Sequence, residues 1–361
     1  MKKIKKIIIF YPSFENGGAT KNLQNLVYFF TNKNIFIELI TANAKYKDFR
    51  YQKKFFKIIK PKKIISLFFF QRINYSFSVL KLFIQNITHI DTNNTIILSM
   101  QSHLLSVISS KFFNKKIIVR NSEDPFGATK YADERFISLI VFISKFLSFN
   151  LADGIITNSS KSLKGIKFFL FDKAKAKLIF NPYLKSTNRI HSNKNKKENV
   201  LAIGRFSKQK NFSFLIDAFH DFHKKFNKYK LIIIGSGHKK KDLVNQINSL
   251  DIKKHVTLLG WKQDLTHHFR TSKFFILPSL YEGLPNILID AINNGIPCIA
   301  SNCSGASDIL KNNKSGLIYQ INDKKKLLIL MEEMHKNYSD YKKNSLSFIK
   351  TSGRFLAKTQ A

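Results

Sequence analysis

Cations, carboxylates and glycines able to handle an anionic ligand are concentrated at a few points of the chain. Gly204-Arg205-Phe206-Ser207-Lys208-Gln209-Lys210-Asn211 sets Arg205 and Lys210 just beyond a glycine that closes an apolar run. Arg can fork onto two phosphate oxygens and Lys offers a compact point charge, so the two do different work on one anion. Glu282 stands directly before Gly283-Leu284-Pro285-Asn286. A helix is expected to begin there, with Pro285 in its first turn and its free N–H groups and positive dipole end directed at a ligand. Asp290 follows on that helix. In the first half, Glu15-Asn16-Gly17-Gly18-Ala19 is a glycine turn leading into a helix, which lets backbone N–H groups approach a ligand. It is not the dinucleotide G-x-G-x-x-G, because Lys21 stands three residues after Gly18. Gly235-Ser236-Gly237 carries the same two readings, tight turn or binding loop.

Short β-branched runs alternate with stretches of helical period. Lys6–Phe10, Ile35–Thr41, Thr95–Ser99, Lys116–Arg120 and Gly154–Asn158 read as strands, with helices at Gly18–Phe30 and Gln101–Phe112. The pattern restarts with Val200–Gly204, Leu231–Gly235, Val256–Leu259, Phe274–Leu277 and Pro297–Ser301. Two βα series imply an α/β protein with two parallel sheets, each covered by helices on both faces. The join is placed near Asn181-Pro182, before a Lys/Asn-rich linker over 185–198, giving domains 1–182 and 183–361. Ligands of open parallel sheets bind beyond the carboxyl ends of the strands, and the glycine turn, the Arg205 loop and the Glu282 loop all fall there.

The 361 residues carry 61 Lys+Arg against 23 Asp+Glu, and 44% are hydrophobic, so the chain has the composition of a folded protein rather than a disordered one. Cys298 and Cys303 are the only cysteines, which argues against a disulfide scaffold and a Cys-rich zinc site. At the start, the apolar run after the first lysines is too short for a secretory leader and lacks a small-residue cleavage site, so it reads as a strand. The longest apolar stretches, 67–70 and 136–147, fall short of the roughly 20 residues a spanning helix needs, and Lys145 interrupts the second. The net charge of +38 divides into +20 for residues 1–182 and +18 for 183–361. Spread this evenly, it is partly a matter of lysine-rich composition, with nucleic acid and an anionic membrane as the alternatives.

Three pieces of the second half, Gly204 to Asn211, Ser279-Leu280-Tyr281-Glu282-Gly283-Leu284-Pro285-Asn286 and Gly295-Ile296-Pro297-Cys298-Ile299-Ala300-Ser301, together resemble glycosyltransferase family 4, the retaining GT-B enzymes. The Gly17-Gly18 turn, Ala152-Asp153-Gly154-Ile155-Ile156-Thr157-Asn158-Ser159 and Asn181-Pro182 fit the same family. The resemblance implies a GT-B fold, two Rossmann-like domains with parallel sheets facing across a cleft, the acceptor bound mainly by the first and a nucleotide sugar by the second. It implies that Arg205 and Lys210 are the family's cation pair on the donor diphosphate. Cations fixed at the leaving oxygens stabilise the transition state more than the ground state. By the same resemblance Glu282 contacts the transferred sugar, and Asp290 matches the acid that binds the ribose, one methylene shorter than the family's Glu. Gly17, Gly18, Gly283, Leu284, Pro285 and Asn286 join the donor site. Trp261 either lies beside the nucleobase or packs in a core or between domains. His103 either orients an acceptor hydroxyl or takes its proton, as a catalytic residue beside Glu282, or is an ordinary helix-start histidine. Asp308, in a loop that departs from the family's pattern, is left out of the site.

The expected partners are a nucleotide sugar, a glycan or polyprenyl-linked acceptor and an anionic membrane surface, with no obligatory metal, no other cofactor and no specific nucleic acid. The expected place is the cytoplasm, peripheral on the inner face of the plasma membrane. The stretch 45–63, with nine basic residues, one acid and interleaved Tyr46, Phe49, Tyr51, Phe55 and Phe56, suits such a surface; the alternative is an exposed lysine-rich loop and helix. Two rival functions stay in view: a sugar-nucleotide epimerase on the same fold, and a basic nucleic-acid-binding protein, for which no RNA-binding signature is present.

Overall fold

The computed structural model of the protein describes residues 4–15, 17–68, 71–131, 135–182, 196–310 and 316–351. Most of the expected linker, 185–195 of 185–198, lies outside them. Among the described residues, 4–125 and 135–182 gather into one compact unit and 126–131 and 196–351 into a second.

The first unit is built on β1 (Lys6–Phe10), β2 (Phe36–Ile40), β3 (Phe56–Ile59), β4 (Thr95–Ser99), β5 (Ile117–Asn121), β6 (Gly154–Thr157) and β7 (Ala176–Leu178). They form one sheet in the order β3-β2-β1-β4-β5-β6-β7, every pair parallel. Alternate residues of the strands feed two cores. Ile8, Phe10, Ile97, Val119 and Ile155 meet Val79, Phe83, Val107, Phe149 and Ile166 of four helices on one face. Ile7, Ile9, Leu39 and Leu98 meet Leu23, Leu26 and Val27 of the Gly18–Thr31 helix on the other. Both faces are thus apolar, which is why these strands read as continuous Ile/Leu/Val runs. The chain leaving β7 is gripped by Arg120, whose guanidinium donates to the Asn181 side chain at 3.1 Å, and by Asn25, which donates to the Pro182 carbonyl at 2.7 Å.

The second unit repeats the plan with β8 (Asn199–Ile203), β9 (Lys230–Ile234), β10 (Val256–Leu259), β11 (Phe274–Leu277), β12 (Cys298–Ser301) and β13 (Gly316–Tyr319) in the parallel order β10-β9-β8-β11-β12-β13. The order reverses between β1 and β4 in the first sheet and between β8 and β11 in the second. At such a reversal neighbouring loops diverge to opposite faces and leave room for a ligand. The loops there are Glu15–Gly18 and Gln101–His103 in the first unit, and Gly204–Asn211 and Ser279–Asn286 in the second.

Three strands were not expected. β7 and β13 are short edge strands, and β3 lies inside the basic-aromatic stretch. The aromatic half of that stretch is therefore corrected: Phe49 and Phe56 are buried in the core beside the Gly18–Thr31 helix, and Tyr46 and Tyr51 pack on Phe56 at ring distances of 5.8 and 4.9 Å. Lys53, Lys54, Lys57 and Lys60 remain exposed. The helix expected from Gln101 starts at His103, because Ser102 takes a left-handed conformation (φ 48°).

Candidate functional site

β8 delivers its chain into a bracket. Gly204 donates its N–H to the Ile234 carbonyl at 2.9 Å, and Phe206 to the Ser236 carbonyl at 2.8 Å. A Cβ on Gly235 would stand 1.8 Å from the Gly204 carbonyl oxygen, and one on Gly237, whose φ is +156°, 2.3 Å from that of Phe206. Gly235-Ser236-Gly237 is thus the clamp of the Arg205 loop, and only glycine lets the two backbones approach this closely. Phe206 is driven into the core against Phe212, while Arg205 between the two clamped residues is exposed. The Lys210 stem lies over Gly204, at 3.0–3.1 Å from where its Cβ would be.

That path brings the Lys210 ammonium onto Glu282, to whose Oε1 it donates. Ser279 Oγ donates to the same oxygen at 2.7 Å, and Ser301 Oγ holds the Ser279 carbonyl at 2.5 Å. The two loops are also stitched along their backbones: Leu280 N–H reaches the Gln209 carbonyl at 2.8 Å and Gln209 Nε2 the Tyr281 carbonyl at 3.0 Å. Glu282 is buried and Lys210 nearly so, which leaves each charge dependent on the other.

The next residues turn into the Asn286–Asn293 helix, whose first turn has neither an acidic residue nor a side-chain cap. Its positive end is therefore not offset locally. Pro285 stands at the cap position, not inside the first turn as expected; its φ is −74° but its ψ of 92° is extended. Gly305 supports this turn from behind: with φ +76°, a Cβ there would meet the Gly283 carbonyl oxygen at 2.2 Å. Asp290 lies partly buried on the helix. Trp261, just past the end of β10, is 54% exposed, which rules out the core reading of that residue.

In the first unit, Gly17 caps the Gly18–Thr31 helix with an extended backbone, and nothing lies within 4 Å of a Cβ placed there. Ser13 and Gln101 tie this loop to the one after β4, N–H to Oε1 at 2.9 Å and Nε2 to carbonyl at 3.0 Å. Arg72 and Ser13 both donate to the Glu15 carboxylate. His103 opens the next helix, its Nδ1 2.9 Å from Ser99 Oγ, which also accepts from Ser106 Oγ. The ring is enclosed by enough protein to cost the imidazolium its solvation, and the Lys145 charge adds to this, outweighing Glu123; its pKa falls to about 4. His103 is a neutral hydrogen-bonding group at physiological pH.

The structure thus joins Arg205, Lys210, Glu282, Gly283, Leu284, Pro285, Asn286 and Asp290 around one sheet reversal, and Gly17, Gly18 and His103 around the other. Sequence reading passed over Ser279, Gln209 and Gly305. Ser279 and Gln209 lie inside quoted motifs, but Gln209 acts on Tyr281, 72 positions away, and Ser279 is set on Glu282 by a bond from Ser301, 22 positions away. Gly305 carried one usable signal, a glycine in a loop beside the β12 end.

Residues 185–347 match the family model described as Glycosyl transferases group 1. The match lies in the second unit. The amylovoran biosynthesis glycosyltransferase AmsD of Erwinia amylovora is 33% identical over 40% of this chain and 42% of its own length. The N-acetylgalactosamine-N,N'-diacetylbacillosaminyl-diphospho-undecaprenol 4-alpha-N-acetylgalactosaminyltransferase of Campylobacter jejuni is 24% identical over 89% of this chain and 87% of its own. Across the first such relatives the matched stretch spans 24–57% of their length. Among solved structures, Anabaena Alr3699/HepE in complex with UDP and glucose superposes with a TM-score of 0.76 at 16% identity, covering 99% of this chain and 96% of that one. The two parallel α/β sheets are those of the GT-B fold.

Proposed function

We propose that the chain is a retaining glycosyltransferase that moves a hexose or N-acetylhexosamine from a nucleotide sugar, UDP-linked, to a glycan or polyprenyl-linked acceptor in surface polysaccharide assembly. The observation that carries this is the buried Lys210–Glu282 pair, set at the sheet reversal beside the exposed Arg205 and an uncapped helix start. When a diphosphate leaves a sugar its charge grows, and positive groups already fixed in place need no reorganisation to meet it. Arg205, Lys210 and the Asn286–Asn293 helix end supply that charge without a metal. Glu282 is shared between Lys210, on the phosphate side, and the transferred sugar. The departing phosphate takes the acceptor's proton on the face from which it leaves, so no protein nucleophile is required. Gly17 and the neutral His103, with its serine partners, suit an uncharged hydroxyl acceptor.

The UDP in the Anabaena complex and the diphospho-undecaprenol in the Campylobacter enzyme's name support the donor and acceptor classes. Such an acceptor places the enzyme at the cytoplasmic face of the plasma membrane. The test is a saturation-transfer NMR screen of nucleotide sugars, followed by transfer to a polyprenyl-diphosphate-linked sugar with the anomeric configuration of the product read by NMR. Retention of configuration in the presence of EDTA is expected. Reversible loss of turnover on chelation would refute the metal-free route, and isomerisation of the donor without acceptor would favour the epimerase.

A further inference from the structure

The Arg135–Leu151 helix is built inside out. Its outward stripe is Leu139, Ile140, Ile143, Leu147 and Leu151, 43–53% exposed, at positions that share one side of a 3.6-residue turn. Away from the stripe Ser148 is fully buried, and Lys145, with a side chain only 12% exposed, is paired with Glu123 at 2.5 Å, while Asn150, within the stripe's arc, is taken up by the Phe146 and Phe169 carbonyls. A helix that is apolar outward as well as inward belongs in a second apolar medium, not in water.

The neighbouring elements extend the same surface. Phe112 is 82% exposed on the His103–Phe112 helix, which packs beside this one. Phe168 and Phe171 are 81% and 83% exposed at the end of the Ser160–Phe169 helix, where Phe171 N–H is held by Asn150 Oδ1 at 3.0 Å. Around them the charge is almost of one sign: residues 160–178 hold six lysines against the single acid Asp172. No described helix is long and apolar enough to cross a membrane.

We infer that this helix layer of the first unit is the surface that docks on an anionic lipid bilayer, Leu139, Ile143 and Leu147 entering the interface and the lysines of 160–178 meeting the headgroups. Apolar burial and attraction of lysine to anionic lipid act together at such interfaces, with the aromatic rings at headgroup level. The assignment deepens the proposed function, resting on it for the reason a transferase would dock at a membrane, and it moves the docking face away from 45–63, whose Phe49 and Phe56 are used in the core.

The test is cosedimentation of the full chain with vesicles of phosphatidylcholine, with and without phosphatidylglycerol. The wild type should bind the anionic vesicles and release as salt rises. Leu139→Gln/Ile143→Gln/Leu147→Gln should lower its partition on the order of a hundredfold, from three half-exposed aliphatic side chains. Lys164→Gln/Lys167→Gln/Lys173→Gln should lower it on the order of tenfold or more, and Lys53→Gln/Lys54→Gln/Lys57→Gln/Lys60→Gln should leave most of the binding. As a reading that does not depend on loss, Trp261→Phe/Leu147→Trp places the only tryptophan on the stripe, and brominated lipid should quench it. Undiminished sedimentation of the apolar triple variant, an unquenched Trp at 147, or a dimer that the triple variant dissociates while vesicle binding persists would each overturn the assignment. Nucleotide-sugar binding, measured on the wild type and the variants that keep Trp261, separates the two ideas: docking without any donor bound refutes the transferase, and donor bound without docking refutes the face.

Discussion

At the carboxyl edge of the second sheet, the loops are locked by a buried ion pair and by glycines under backbone contact, Lys210–Glu282 over Gly204, Gly235, Gly237 and Gly305. The corresponding edge of the first sheet is joined mainly through neutral groups: Ser13 with Gln101, Ser99 with His103 and Ser106, and Ser76 with Ser102 at 2.6 Å. Its ion pairs, Arg72–Glu15 and Lys145–Glu123, are partly exposed. A rigid, charged edge suits a ligand whose own charge changes during reaction, since preorganised charges lose nothing to reorganisation. A neutral, hydroxyl-rich edge suits a ligand recognised by hydrogen bonds. The contrast divides the proposed labour between donor and acceptor.

The sharpest way to break it is Glu282→Gln. Transfer should fall on the order of a thousandfold, with the far-UV spectrum unchanged, when product is followed from a radiolabelled donor; wild-type turnover would remove Glu282 from the chemistry. Next, Lys210→Ala and Arg205→Ala should each lose about a hundredfold in kcat, roughly 3 kcal/mol of transition-state stabilisation. The two part company in urea unfolding. Removing Lys210 strands a buried carboxylate and should cost about 3 kcal/mol of stability, whereas the exposed Arg205 should cost almost nothing. Equal stability of the two variants would mean that the pair is not structural.

Gly305→Ala comes third. The left-handed backbone and the contact with the Gly283 carbonyl predict a loss of about 2–3 kcal/mol and weaker donor binding by calorimetry; an unchanged Kd would separate Gly305 from the site. The smallest effect belongs to the first unit. Its folded imidazole stays neutral to a pKa of about 4, while an unfolded histidine takes its proton near pH 6.5. His103 therefore leaves stability intact above about 6.5 and erodes it as pH falls toward 4. His103→Gln should flatten that part of the pH profile, and a histidine resonance titrating near 6.5 at this position would contradict it.

Strands with two buried faces were legible because burial on both sides demands unbroken apolar runs: β1, β4 and β11 begin and end where the pattern puts them, and so does the edge strand β10 although its Thr257 is exposed. β3 was not, because Lys57 interrupts its run and the surrounding lysines mask a strand whose Phe56 is core. The resemblance located Arg205, Lys210 and Glu282, since loops at strand ends keep characteristic local spacing. That Lys210 grips Glu282, and that Gly235 and Gly237 serve the Arg205 loop, is a fact of tertiary structure, set by strand order rather than by distance along the chain. The greasy 136–147 stretch shows the same limit. Its composition alone excluded a spanning helix, but an apolar run does not say which of its faces meets the core, and only packing against the His103–Phe112 helix turned Lys145 and Ser148 inward and the leucines out.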